Sequence, residues 1–182
     1  MNLLGLSGSL RAASFNTALL REAAEIAGAD AFELGDLNLP LYDGDVEAAG
    51  MPASVETLIA QVRAADAVII ATPEYNKMLS GVLKNALDWL SRVKPMPLAG
   101  KPTAIMSAAA GRGGGEVAQF TLRHALAAHA PRLVAGPAVA IGGAHDAFAE
   151  GTLKDEMARK LVGDLMGALR AEVGAVARAR AA

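Results

Sequence analysis

The sequence predicts an α/β fold: a single layer of five parallel strands, doubly wound, with helices on both faces. Three observations predict it. Short apolar segments alternate five times with longer segments of helical spacing. Three of the short segments are near-continuous apolar runs, as strands covered on both faces must be. The 182 residues suit one such layer, and no linker of the kind that separates domains interrupts them, so residues 1–182 read as one domain.

Taken in order, the strands read as Asn2–Leu6, Ala31–Leu34, Ala67–Ala71, Pro102–Ser107 and Arg132–Ile141. The helices between and after them read as Asn16–Ala27, Ala53–Ala64, Gly81–Ser91, Val117–His129 and Thr152–Ala177. In the third helix, Val82, Leu83, Ala86, Leu87 and Leu90 fall on one face. Trp89 on that helix reads as core or subunit interface, and Lys84, Asn85 and Asp88 as its exposed side. Asp43 and Asp45 flank Gly44, which reads as a turn. In a doubly wound sheet, ligands sit outside the carboxyl ends of the strands, near the point where strand order reverses. The loops after strands one, three and four are therefore where chemistry is expected.

Composition narrows the function. The 17 Lys+Arg against 19 Asp+Glu give a net charge of −2, which argues against a broad basic face for nucleic acid. The absence of Cys removes thiolate metal sites, iron–sulfur clusters and cysteine nucleophiles together. His124, His129 and His145 form no cluster with carboxylates at ligand spacing, so no metal site is expected. The best apolar run, Ala67–Ala71, is far shorter than the roughly 20 residues that span a bilayer. Arg11 follows the apolar start instead of preceding it, the reverse of a secretory signal, so the chain reads as soluble and cytoplasmic.

The first loop, Ser7-Gly8-Ser9-Leu10-Arg11-Ala12-Ala13-Ser14-Phe15-Asn16-Thr17, leaves a strand and opens a helix. Such a turn aims free backbone N–H groups and the positive end of the helix dipole at whatever binds there. Its side chains suit a phosphate: hydroxyls at Ser9, Ser14 and Thr17, the amide of Asn16 and the planar fork of Arg11. Neither the Gly-Lys-Ser/Thr of a Walker loop nor the G-x-G-x-x-G of a dinucleotide fold is present. A helix cap at Ser14 or Asn16 would explain one of these groups, but not all of them crowded into one turn. The second loop runs from Thr72 through Pro73-Glu74-Tyr75-Asn76 and offers backbone groups beside a flat ring. The third, Ser107-Ala108-Ala109-Ala110-Gly111-Arg112-Gly113-Gly114-Gly115, has a backbone able to lie against a ligand edge.

These segments resemble the NAD(P)H-dependent FMN reductases of the flavodoxin-like fold, a family that includes quinone, azo-dye and chromate reductases. The resemblance runs essentially end to end. It is carried most strongly by Gly8-Ser9-Leu10-Arg11 with Ser14-Phe15-Asn16, and by Pro73-Glu74-Tyr75-Asn76 followed by Gly81-Val82-Leu83-Lys84-Asn85-Ala86-Leu87-Asp88-Trp89. It implies a three-layer sandwich with strand order 2-1-3-4-5. It implies FMN as cofactor, NADPH or NADH as cosubstrate, and hydride transfer through FMN to a flavin, quinone, azo or oxyanion acceptor. It places Ser9, Arg11, Ser14, Asn16 and Thr17 at the FMN phosphate, Pro73, Glu74, Tyr75 and Asn76 along the isoalloxazine ring, and Ser107 and the loop to Gly111 at the ring's polar edge. No protein nucleophile or other catalytic residue is assigned, because the cofactor performs the difficult step. A homodimer or homotetramer is implied, with no nucleic-acid or membrane partner. Two departures stand out. Ser80 occupies a position where the family commonly has Pro, and is expected to cap the helix. Val117, after Glu116, occupies a position where the family often has Arg, with Arg112 as the nearest substitute. The rival reading is a flavodoxin-type FMN electron carrier without its own NAD(P)H activity, though such carriers tend to be far more acidic than −2.

Overall fold

The computed structural model describes residues 1–181; Ala182, which the one-domain reading included, lies outside them. Strands β1 (Asn2–Ser7), β2 (Ala31–Gly35), β3 (Ala67–Ala71), β4 (Pro102–Ala108) and β5 (Arg132–Leu133) form a parallel sheet in the order β2-β1-β3-β4-β5. Strand order reverses at β1, so the loops after β1 and β3 leave the sheet side by side. Strand alternation divides the apolar residues between two cores. On one face Leu3, Ala67, Ile69, Ala71, Ala104 and Met106 pack against α1 (Phe15–Ile26) and α7 (Glu156–Ala181). On the other, Leu4, Leu6, Val68, Ile70 and Ile105 pack against α3 (Ala53–Ala64), α4 (Gly81–Leu90) and α5 (Glu116–Ala127). Each fully buried Leu or Ile contributes roughly 1.5–3 kcal/mol against chain entropy.

The predicted fifth strand is broken. After β5 the Val134 N–H still donates to Thr103 O at 2.9 Å, but residues 135–138 leave the ladder, and pairing with β4 resumes at β6 (Val139–Ile141). Pro137 has no N–H to give the ladder. Gly136 lies so close to α7 that a Cβ there would meet Leu165 Cδ1 at 2.8 Å. The predicted turn at Asp43–Asp45 opens a short helix, α2 (Gly44–Ala49), with Asp43 accepting from the Asp45 N–H at 2.8 Å. The predicted last helix starts later than Thr152. A short helix, α6 (Ala144–Ala147), and a hairpin of β7 (Phe148–Ala149) and β8 (Thr152–Leu153) precede α7, and the Asp155 carboxylate accepts from the Ala158 N–H at 2.8 Å.

Helix α4 also departs from its predicted pattern. Asn85 is buried, not exposed: its side chain donates to Pro40 O at 2.9 Å and accepts from the Tyr42 N–H at 2.8 Å. Trp89 is core, fully buried, with its indole N–H donating to the same Pro40 carbonyl at 2.8 Å. Lys84 and Asp88 pair on the exposed side at 2.6 Å. Ser80 does cap the helix, accepting from the Leu83 N–H at 3.3 Å.

Candidate active-site cleft

The loops after β1, β3 and β4 meet at the carboxyl edge of the sheet and enclose a cleft of 580 Å³. The first wall begins flush with the sheet. The Gly8 N–H donates to Ala71 O at 2.8 Å, and a Cβ at Gly8 would lie 2.8 Å from Ser80 Oγ and 3.0 Å from Thr72 Oγ1, so no larger residue fits. Ser7 Oγ and Thr17 Oγ1 share a hydrogen bond of 2.8 Å across the loop. Ser14 is the N-cap of α1, and its oxygen accepts from the Thr17 N–H at 3.2 Å. That leaves the Ser14 hydroxyl proton and the Phe15 and Asn16 N–H groups without acceptors among the described residues. Arg11 is exposed and has no ion-pair partner among those residues. Free N–H groups at a helix start, a hydroxyl donor and an unpaired guanidinium form a donor set for an oxyanion.

The second wall is a tight hairpin. Tyr75 and Met78 exchange backbone hydrogen bonds of 3.1 and 3.0 Å around Asn76 and Lys77, whose φ angles are +51° and +66°. Positive φ at both central residues is the geometry of a two-residue type I′ turn, which Asn tolerates and Lys adopts only under strain. The hairpin is tethered by Glu74. One carboxylate oxygen accepts from the Ala118 N–H in the first turn of α5 at 3.2 Å; the other faces Lys77 Nζ at 3.4 Å. The Leu79 N–H adds a bond to Thr121 Oγ1 at 2.9 Å.

The third wall is the glycine loop. Gly114 takes φ +60° with its Cα against β6, where a Cβ would fall 2.5 Å from the Ala140 carbonyl. Asn16 joins this wall to the first: its amide donates to Ala108 O at 2.9 Å and its oxygen accepts from the Ala108 N–H at 3.0 Å, both buried. Arg11, Lys77, Arg112, Glu74 and Glu116 bring charge to the lining, three positive against two negative.

Eight of the sequence-predicted residues line this cleft: Ser9, Arg11, Ser14, Asn16, Pro73, Glu74, Tyr75 and Gly111. Three do not. The Thr17 hydroxyl is engaged with Ser7, Asn76 is the turn residue of the hairpin, and Ser107 is buried behind the glycines, accepting from Gln119 Nε2 at 2.8 Å. Each of the three supports a wall. Phe15, Lys77 and His145 also line the cleft, although the sequence reading gave them no role. The predicted fifth strand ends at Ile141, and extending the search to the loop after it, at the same edge of the sheet, would have pointed to His145.

The family model described as NADPH-dependent FMN reductase matches residues 1–146. A Pseudomonas aeruginosa protein named NAD(P)H-dependent FMN reductase is 46% identical over 173 residues, covering 93% of this chain and 94% of that one. An Escherichia coli protein named quinone reductase is 47% identical over 131 residues, 69% of each chain. A solved structure of a flavoenzyme NAD(P)H:(acceptor) oxidoreductase from Paracoccus denitrificans superposes with a TM-score of 0.81 at 32% identity, covering 95% of both chains.

Proposed function

The chain belongs to the NADPH-dependent FMN reductase family, and from that premise we propose that it is an NAD(P)H-dependent oxidoreductase that uses FMN to reduce a small-molecule acceptor. Quinones are the acceptor class its relatives' names favour, with flavins, azo compounds and oxyanions open to the same site. The single observation that carries the reading is the set of unpartnered donors at the start of α1, in one cleft with the Tyr75 hairpin and the glycine loop. Those donors fit a phosphate monoester, and the two loops form opposing walls beside which a flat ring can lie.

FMN held there would supply the two-electron hydride chemistry between NAD(P)H and the acceptor. The residues do the rest. Arg11, Ser9, the Ser14 hydroxyl and the Phe15 and Asn16 N–H groups hold the phosphate. The Pro73–Asn76 segment and the backbone from Ser107 to Gly111 would orient the ring as shaped walls, since the Tyr75, Ala108 and Ala109 N–H groups are already committed to Met78 O, Asn16 Oδ1 and Ile141 O. Thr17 and the Asn16 side chain keep the cradle in shape. The same reading makes the protein a cytoplasmic homodimer or homotetramer, and residues 1–182 one domain. Self-association is supported by exposed apolar side chains beside the cleft mouth: Tyr75 and Met78 on the hairpin, Val117 and Phe120 on α5. Among the described residues no helix is long and apolar enough to cross a membrane.

An anaerobic visible absorption spectrum of the FMN-loaded protein, before and after NADPH, tests the proposal. Bleaching of the flavin band within the mixing time, followed by recovery on adding a quinone, is expected. A bound flavin that stays oxidised with both NADPH and NADH would overturn it in favour of an electron carrier.

A further inference from the structure

The cradle at α1 accounts for less positive charge than its ligand brings negative. A phosphate monoester carries roughly −1.5 to −2 near neutral pH. Arg11 supplies one full charge and the helix end about half of one. Lys77 and Arg112 bring further charge to the lining from the hairpin and the glycine loop, and where the wall packs on the start of α1 His145 is placed to be a further donor. It stands in α6, immediately after β6, and lines the cleft together with Arg11, Ser14 and Phe15. Its ring packs edge-to-face on Phe15, the first residue of α1, with centroids 4.9 Å apart and planes at 88°. Phe15 rests in turn on the buried Phe148 at 5.5 Å. The backbone beneath is also fixed: the Ala144 N–H donates to Ala109 O at 3.1 Å, and the Asp146 N–H to Gly143 O at 2.8 Å. Neither ring nitrogen has a hydrogen-bond partner among the described residues. An exposed aromatic held by packing alone would serve as well with Phe; this one keeps two polar atoms free at the rim of an anion site.

Resting on the FMN reading above, we propose that His145 is a phosphate-binding residue, an imidazole N–H donor to the FMN phosphate from the part of the cleft wall that packs on Phe15. Phe15 is its positioning residue.

The test compares FMN with riboflavin, which shares the ring and ribityl chain but lacks the phosphate. Dissociation constants for both are measured by fluorescence quenching on the flavin-stripped protein, for wild type, His145→Phe and His145→Gln. The Phe variant keeps the contact with Phe15; the Gln variant keeps a donor. His145→Phe is expected to weaken FMN about tenfold while moving riboflavin less than about twofold. His145→Gln is expected to fall between wild type and His145→Phe. If His145→Phe preserves the wild-type preference for FMN over riboflavin, or weakens both ligands alike, the assignment of His145 is overturned while the cradle stands. If the wild type itself shows no preference for FMN, the phosphate cradle fails, and His145 with it.

Discussion

The two ends of the same sheet treat their polar groups in opposite ways. At the amino ends of the strands, loose groups are closed by the protein itself. The Asn2 N–H donates to Asp66 Oδ2 at 2.7 Å. Lys101, just before β4, donates to the last carbonyls of α3, Arg63 O at 3.1 Å and Ala65 O at 2.5 Å. The Gly100 N–H bonds Ala130 O at 2.9 Å. At the carboxyl ends, the Phe15 and Asn16 N–H groups, the Ser14 hydroxyl proton and the Arg11 guanidinium are left open to the cleft. Both edges are loops between strands and helices, and the doubly wound fold places ligands at the carboxyl one. What distinguishes them is where donors lack acceptors. One edge contributes to stability, the other holds that capacity for a ligand.

The widest separation between the two edges is expected at Arg11. It is exposed and pairs with nothing among the described residues, so Arg11→Ala leaves Tm within about 1 °C of wild type. The same change removes the one full positive charge of the first loop and weakens FMN by about tenfold or more. Parallel thermal melts and FMN titrations check this. A variant that melts lower but binds as before would place Arg11 with the structural residues of the other edge.

Lys101→Met is the mirror experiment, with a smaller effect. The substitution keeps the apolar stem but removes two hydrogen bonds that close the C-terminal end of α3. Burial already pushes the Lys101 ammonium below its ordinary pKa, with Arg180 adding to the push, so part of what the hydrogen bonds contribute offsets that cost. A loss of about 1 kcal/mol in chemical denaturation, with FMN affinity unchanged, is expected. A change in FMN affinity would mean that the two edges are coupled through the sheet.

The sequence carried the strand–helix alternation and the three loops because both rest on local signals: alternating apolar runs, and polar residues packed into one strand-to-helix turn; the strand order came with the family resemblance. What it did not carry depends on partners distant in the chain. Asn16 reads as a cap or ligand, yet its amide is committed to Ala108, 92 residues away. Asn85 reads as exposed because helical spacing places it beside Lys84 and Asp88, but the return of residues 40–42 buries it. Ser107 reads as a ligand because the loop around it is one, while the alternation of β4 turns its side chain inward to Gln119. Residue type located the cleft, and the long-range pairings decided which side chains line it.

One group breaks the pattern at the closed edge. His129 follows α5, is 4% exposed, and its Nδ1 has no hydrogen-bond partner among the described residues. Burial drives its pKa down; Asp88 pulls the other way and Lys84 and Lys94 reinforce the descent, but desolvation is the largest cause. The sign follows from linkage. A histidine whose folded pKa lies below its unfolded value is protonated first in the unfolded chain, so acid favours unfolding. Its neutral form is fully compatible with the fold above the unfolded value of about 6.5, and stability falls as pH drops below that. His129→Leu removes both the titration and the orphaned nitrogen. The gap between variant and wild-type Tm is therefore expected to widen in the variant's favour from pH 7.5 down to 5.5, a smaller effect than either substitution above. Melts that stay parallel across that range would show that Nδ1 is satisfied in solution, by water or by a neighbouring subunit. The closed edge would then have no exception.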